Sequence, residues 1–186
     1  MPNTDSGFDS RVAEAFVAQA RAFLSDEYLP KIERCLETLT DENLWWRANE
    51  NSNSIGNLLL HLSGNARQWI VSGLGGRSDQ RQRQTEFDER SIISKGELLA
   101  RLKETLAEVD AVLAGFDSGL GLARYQIQAS EISALEAIFH VVEHFSMHTG
   151  QIILLTKLLT ENDLRFYDFS TGGSFHTWHE PRSSSK

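Results

Sequence analysis

The chain reads as an all-α bundle, and three observations predict it. Prolines occur only at positions 2, 30 and 181, so the stretches between them lack the residue that breaks a helix interior. Four of those stretches repeat apolar residues at three- and four-residue spacing, the period of a helix with one buried stripe. Two of them open with Ser-x-x-Glu, at Ser94 with Glu97 and at Ser133 with Glu136, a pairing that satisfies orphan N–H groups at a helix start. Four long helices in 186 residues point to a bundle around one core.

The first helix is expected from about Asp9 to Leu39, with Val12, Phe16, Ala20, Phe23, Leu24, Ile32, Leu36 and Leu39 inward and a bend at Pro30. Turn formers fill the connection 40–53, which carries the adjacent Trp45 and Trp46; these are read as covering a bundle end. The second helix starts near Ser52–Ser54, buries Ile55, Leu58, Leu59, Leu62, Ala66, Trp69 and Ile70, and stops at Gly73-Leu74-Gly75-Gly76. Residues 77–91 are charged and read as a surface loop; Arg77, Arg81 and Arg83 could contact an anionic substrate, but their acidic neighbours favour solvated cations. The third helix runs from Ser94 to near Gly115 on Leu98, Leu99, Leu102, Leu106, Val109 and Leu113. A connection over 116–131 holds short extended segments around Tyr125–Gln128, and the fourth helix runs from Ser133 to about Leu159. The C-terminal tail is expected to fray from about residue 170.

Hydrophobic residues make up 40% and charged residues 24%, ordinary for a soluble domain. A net charge of −8 argues against a broad nucleic-acid footprint, while a small anionic ligand needs only local positive charge. The first residues lack a basic start and an apolar run, and no apolar stretch reaches membrane-spanning length. A single cysteine, Cys35, allows no internal disulfide and is read as a small buried hydrophobe. One domain over 1–186, cytoplasmic and off the membrane, is the expectation.

Chemistry concentrates in the histidines. His144 and His148 are four residues apart on the fourth helix, which puts their Cβ atoms roughly 5–6 Å apart on one side. Two such imidazoles can converge on one metal ion at about 2.0–2.1 Å each. At about 100° per residue, with Phe145 at the centre of the buried stripe, His148 falls about 60° away, His144 about 100° and His140 about 140°. On the second helix, centred on Leu62, His61 lies about 100° off and Asn65 about 60°. His61, His144 and His148 therefore sit at the margin of a buried face, where a cleft between helices can be reached, and His140 points further out. A single marginal histidine is more often a satisfied polar side chain than a ligand, so the case rests on all three meeting.

The run from His144 to Gln151, His-Phe-Ser-Met-His-Thr-Gly-Gln, resembles the signature of the DinB/YfiT superfamily of bacterial proteins proposed to be metal-dependent. Leu44-Trp45-Trp46-Arg47, followed by Asn-Ser-Ile-Gly-Asn-Leu-Leu-Leu-His-Leu-Ser-Gly-Asn over 53–65, is similar to one subgroup of that superfamily. The resemblance implies an up-down-down-up four-helix bundle with a divalent ion, zinc or nickel, near one end. Its metal positions fall on His61, His144 and His148. It further implies a homodimer, and a thiol-dependent S-transferase or detoxification enzyme using a low-molecular-weight thiol as cosubstrate against an electrophile. A metal-dependent hydrolase and a non-catalytic metal-binding protein acting through contacts during stress are the alternatives. The general base is unassigned.

Asn65, one turn beyond His61, and Gln151, beside His148, are the candidates to hold a ligand imidazole or a substrate. Glu143 is read as solvated. Gly150, costly in a helix by about 1 kcal/mol relative to Ala, is expected to admit a neighbouring helix. His176 and His179 could add a ligand only if the tail folded back.

Overall fold

Residues 6–170 and 172–178 are described by a computed structural model. The first helical rod is α1 (Ser6–Ala22), a π-helical turn (Phe23–Tyr28) and α2 (Leu29–Glu37) in unbroken succession. Pro30 lies in the first turn of α2, so the rod accommodates it by widening one turn rather than by ending. Because proline has no N–H to give to the carbonyl four residues back, the Asp26 carbonyl is free to accept from elsewhere. The Trp178 indole N–H donates to it at 3.0 Å. The C-terminal segment is thereby tied to the first rod. It also pairs Tyr167–Asp168 (β3) with Phe175–His176 (β4) in an antiparallel hairpin, and His176 Nε2 lies 2.8 Å from Glu27 Oε2. Residues 172–178 are thus docked where fraying is expected from about 170. The expectations for His179 and for the final Pro-Arg-Ser-Ser-Ser-Lys lie outside the described residues. Trp178→Phe, which keeps the ring and removes the donor, is expected to cost about 1 kcal/mol, read as faster amide exchange across β3 and β4.

Between the first and second rods lies α3 (Asp41–Trp45), capped by a reciprocal pair of hydrogen bonds between Thr40 and Asn43. It ends with Trp45 against α4 (Ile55–Ala66): a Cβ at Gly56 would stand 2.8 Å from that ring, so glycine is what admits it. Trp45 Nε1 donates to the Ile93 carbonyl at 2.9 Å, closing the bundle end as expected. Ser54 and Asn57 cap α4 reciprocally. A second π-helical turn (Arg67–Ser72) extends α4 to the glycine stop, where Gly76 has φ +70°.

The segment 77–91 departs from its expected form. It contains α5 (Arg83–Asp88), laid against α4, with Glu86 buried. The third rod, α6 (Lys95–Ala114), forms half of its expected cap, Ser94 Oγ accepting from the Glu97 N–H. A hairpin of β1 (Arg124–Ile127) and β2 (Ser130–Ser133) turns through Gln128 at φ 56° and leads into α7 (Ala134–Thr160), whose Ser133–Glu136 capping box is complete.

Contacts along the rods set their directions. Arg21 meets Asp110 and Lys103 meets Glu33, so the first rod and α6 are antiparallel. Trp45 caps Ile93 while Arg67 meets Glu108, so α4 and α6 run the same way. Tyr28 packs on Phe145 and Arg34 donates to the Leu164 carbonyl, so α7 runs with the first rod. The order is up-down-down-up, all-α. Phe145, expected at the centre of the α7 stripe, is fully buried among residues that include Leu62 and Ile138. No helix among the described residues is long and apolar enough to cross a membrane.

Candidate metal centre

Antiparallel packing of α4 against α7 brings His61 level with His144 and His148. The rings are 4.8 Å apart for His61 and His144, 5.2 Å for His61 and His148, and 4.4 Å for His144 and His148. His61 and His148 are buried and His144 is half-buried. One ring nitrogen from each lies within 4.8 Å of the other two, and His61 Nε2 and His144 Nε2 are 2.8 Å apart. Nitrogens sharing one tetrahedral zinc stand about 3.4 Å apart, a value that this spread brackets.

The second nitrogen of two rings is already engaged, and this fixes which atom faces the cluster. His61 Nδ1 lies 2.8 Å from Glu86 Oε2, which can only accept, and 3.1 Å from Arg81 Nη2; donating along the shorter contact to the carboxylate leaves the lone pair on Nε2. His148 Nδ1 donates to Gln151 Oε1 at 2.7 Å, leaving Nε2 as the acceptor. That Nε2 is buried and has no hydrogen-bond partner among the described residues. Unsatisfied buried polar atoms cost about 1–3 kcal/mol, and a cation at the cluster would remove that cost.

Electrostatics agree. Burial and the neighbouring His148, His61, His140 and Arg81 push the His144 imidazolium down to about 3, so the ring is neutral at physiological pH. Burial likewise lowers His148, against the opposing Gln151 hydrogen bond. His144 and His148 therefore offer neutral nitrogen donors, the form that binds a metal.

Glu86 and Arg81 are what the sequence reading missed, having placed both in a solvated loop. Arg81 grips Glu86 in a fork, Nε to Oε1 at 2.8 Å and Nη2 to Oε2 at 2.9 Å, with both side chains almost wholly buried. Burial of Glu86 opposes its ionisation, but hydrogen bonds from Arg81 and His61 outweigh that and hold it below the usual carboxylate range. Gly64 makes the approach possible: a Cβ there would stand 2.0 Å from Glu86 Oε1. Asn57 Nδ2 donates to the Glu86 carbonyl at 2.8 Å, and Arg47 donates to the Glu89 carbonyl at 3.0 Å. Motif residues Arg47 and Asn57 thus pin the short helix that delivers Glu86. The only sequence signal for this partner was the need of a ligand imidazole for something on its second nitrogen.

Other expectations sort cleanly. Gln151 Oε1 accepts from His148 Nδ1 at 2.7 Å. Asn65 instead reaches His140 Nε2 at 3.2 Å, and His140 stacks on Trp69 at 3.9 Å, outside the triad. Nothing lies within 4 Å of a Cβ built on Gly150, so that glycine admits no helix among the described residues. Glu143 is exposed. Arg83 lies over the Phe87 ring and Arg77 faces Glu108. Burial pushes the Cys35 thiol up to about 11, in keeping with an inert core residue. His176 pairs with Glu27 on the first rod and does not join the triad.

Fold and site together define an up-down-down-up helical bundle with a three-histidine cluster. Residues 11–172 match the model of a family described as protein of unknown function, DUF1572, and the chain belongs to that family. The fold is shared with a DinB-like protein from Bacillus cereus, 16% identical at a TM-score of 0.57, over 71% of this chain and 85% of that one. It is shared also with a conserved protein from Enterococcus faecalis, 11% identical at a TM-score of 0.59, over 82% of this chain and 98% of that one. At these identities the likeness is one of fold. No curated protein matches the chain.

Proposed function

We propose that His61, His144 and His148 hold one divalent ion, zinc or nickel, and that the protein is a metal-dependent enzyme transferring a thiol to an electrophile. The buried His148 Nε2, left without a partner beside two further imidazole nitrogens, is the observation that carries the metal. Imidazole suits zinc and nickel alike, and three protein ligands leave a coordination position for a substrate. When bound, the ion supplies acidity to a thiol or water placed at that position.

The chain's own residues do the rest. Glu86 and Gln151 hold two of the imidazoles in the tautomer that presents Nε2. Phe87, 4.6 Å from the His61 ring, covers that ring on the α5 side. The choice of a small thiol over water as nucleophile rests on the DinB resemblance.

A reducing cytoplasm suits a chain whose single cysteine is buried and protonated. The outer face of α7 exposes Phe139 (59%), Leu154 (59%) and Leu158 (65%), and a second copy is the partner we assign to it. Leu154→Glu is expected to shift a dimer to monomer by sedimentation equilibrium. A monomeric wild type would remove the assignment.

The function is tested by incubating metal-loaded protein with an electrophile and a panel of cellular thiols. Thiol consumption above that of metal-free protein and of His148→Ala supports transfer. No consumption across the panel sinks the transferase reading, while metal content measured in parallel judges the centre separately.

A further inference from the structure

The Arg81–Glu86 pair also borders a cavity of about 400 Å³, lined by α4 and the π-helical turn after it, by the segment 78–86 and by Arg101 of α6. Three guanidiniums line it, from Arg67, Arg81 and Arg101, against two carboxylates, Asp79 and Glu86. Both carboxylates are committed. Asp79 accepts from Gln68 Nε2 at 2.7 Å and from the Arg81 backbone N–H at 2.9 Å, and Glu86 accepts from Arg81 and His61. Among the cations, Arg81 is held by Glu86 and Arg67 by Glu108 at 2.7 Å. Arg101 has no ion-pair or hydrogen-bond partner among the described residues, and neither does the side-chain amide of Gln82. The three guanidiniums are balanced in charge by Glu86, Asp79 and Glu108, but the exposed Arg101 and Gln82 keep side-chain donors that no protein group takes up among the described residues.

Cavities that take small ligands run from about 300 to 1,000 Å³, and forked guanidinium donors match the oxygens of a carboxylate or phosphate. We propose that this cavity binds a small polar molecule through one oxyanion group, carboxylate or phosphate, held by Arg101 with Gln82 and Arg67. Arg81, which also lines the cavity, grips Glu86 and lies 3.1 Å from His61 Nδ1, so the cavity is next to the cluster through that guanidinium. The site goes beyond the metal reading and does not depend on it, because none of the three donors touches a histidine of the cluster.

The test is calorimetric titration of the metal-free full chain at low ionic strength, with inorganic phosphate in one arm and succinate in the other. Saturable one-to-one binding is expected in at least one arm, and which arm responds tells a phosphoryl group from a carboxylate. Arg101→Gln is expected to weaken it by about tenfold or more, the loss of a charge-assisted hydrogen bond. Gln82→Leu should weaken it less. Lys103→Gln removes a charge from the same helix but faces Glu33 instead, and should leave binding unchanged. No saturable heat in either arm overturns the proposal, as does equal weakening by Lys103→Gln and Arg101→Gln, which would mark diffuse charge attraction. Metal content plays no part in the readout, so the two readings fail separately.

Discussion

In His148→Ala the affinity for zinc or nickel is expected to fall by more than about 100-fold, beyond the 10–100-fold typical of residues that merely support a ligand. Competition with a chromophoric chelator measures it. His61→Ala should behave likewise. The companion variant His148→Leu separates a ligand from a structural histidine. In the metal-free protein His148 Nε2 is buried without a partner, and leucine removes that atom while filling the space. Metal-free His148→Leu should therefore be at least as stable to urea as metal-free wild type, with relief of about 1–3 kcal/mol. Gln151, the residue left without a partner, is exposed and is satisfied by water. A variant that keeps its metal would reject the ligand assignment. A variant that is metal-free and also markedly less stable would show the histidine to be structural.

The same burial gives a pH dependence. The unfolded chain protonates His144 near the ordinary value of about 6.5, whereas the folded chain resists until about 3. The contribution is fully present above the unfolded value and is lost as pH falls towards the folded one. Metal-free protein should thus lose stability progressively below neutrality; bound metal adds stability but, by keeping the folded ring unprotonated, does not flatten that slope, and acid competes with the ion for the nitrogens.

Much of the fold could be read ahead because its signals are local. Ser133 with Glu136 starts α7 where expected, Gly73 to Gly76 ends the second rod, and Phe145 lies at the middle of its stripe. The two π-helical turns were not legible. The first arises from Pro30 lying in a rod that neighbouring rods keep continuous, and the spacing of Phe16, Ala20 and Leu24 carries no trace of it. Docking of 172–178 joins residues far apart in the chain, Trp178 to the Asp26 carbonyl 152 positions away and His176 to Glu27, and no local pattern announces such matches.

The site divides in the same way. The i, i+4 pair on α7 and the marginal position of His61 come from helical geometry, so the three histidines could be found. Gln151 could be found too, three residues from His148. Glu86 could not, since between Arg81 and Arg90 it has the composition of a solvated loop. Only the absent side chain at Gly64, with Asn57 and Arg47 gripping α5 from behind, makes its burial possible. Gly150 shows the opposite error. A residue within the family signature suggested close packing, yet it faces open space among the described residues.

Arg81→Met is expected to destabilise the metal-free protein by about 3–5 kcal/mol at neutral pH, because it strands a buried carboxylate. Glu86 is held below the usual carboxylate range against the effect of burial by hydrogen bonds from Arg81 and His61. In wild type its contribution is present above the unfolded value of about 4.3 and is lost as pH falls through the lower folded value. Without the Arg81 fork, burial is opposed by His61 alone and the folded value rises. The gap between variant and wild type should then be widest near neutrality and shrink in acid, as Glu86 takes up a proton. Urea denaturation across that range measures it. Arg81→Met combined with Glu86→Leu replaces the pair with apolar bulk and should recover most of the stability. Metal affinity in the double variant should stay about 10–100-fold low, since His61 Nδ1 has lost its acceptor. Stability restored without affinity marks the pair as an orienting device for His61. Recovery of both would reduce it to a buried ion pair with no bearing on the centre.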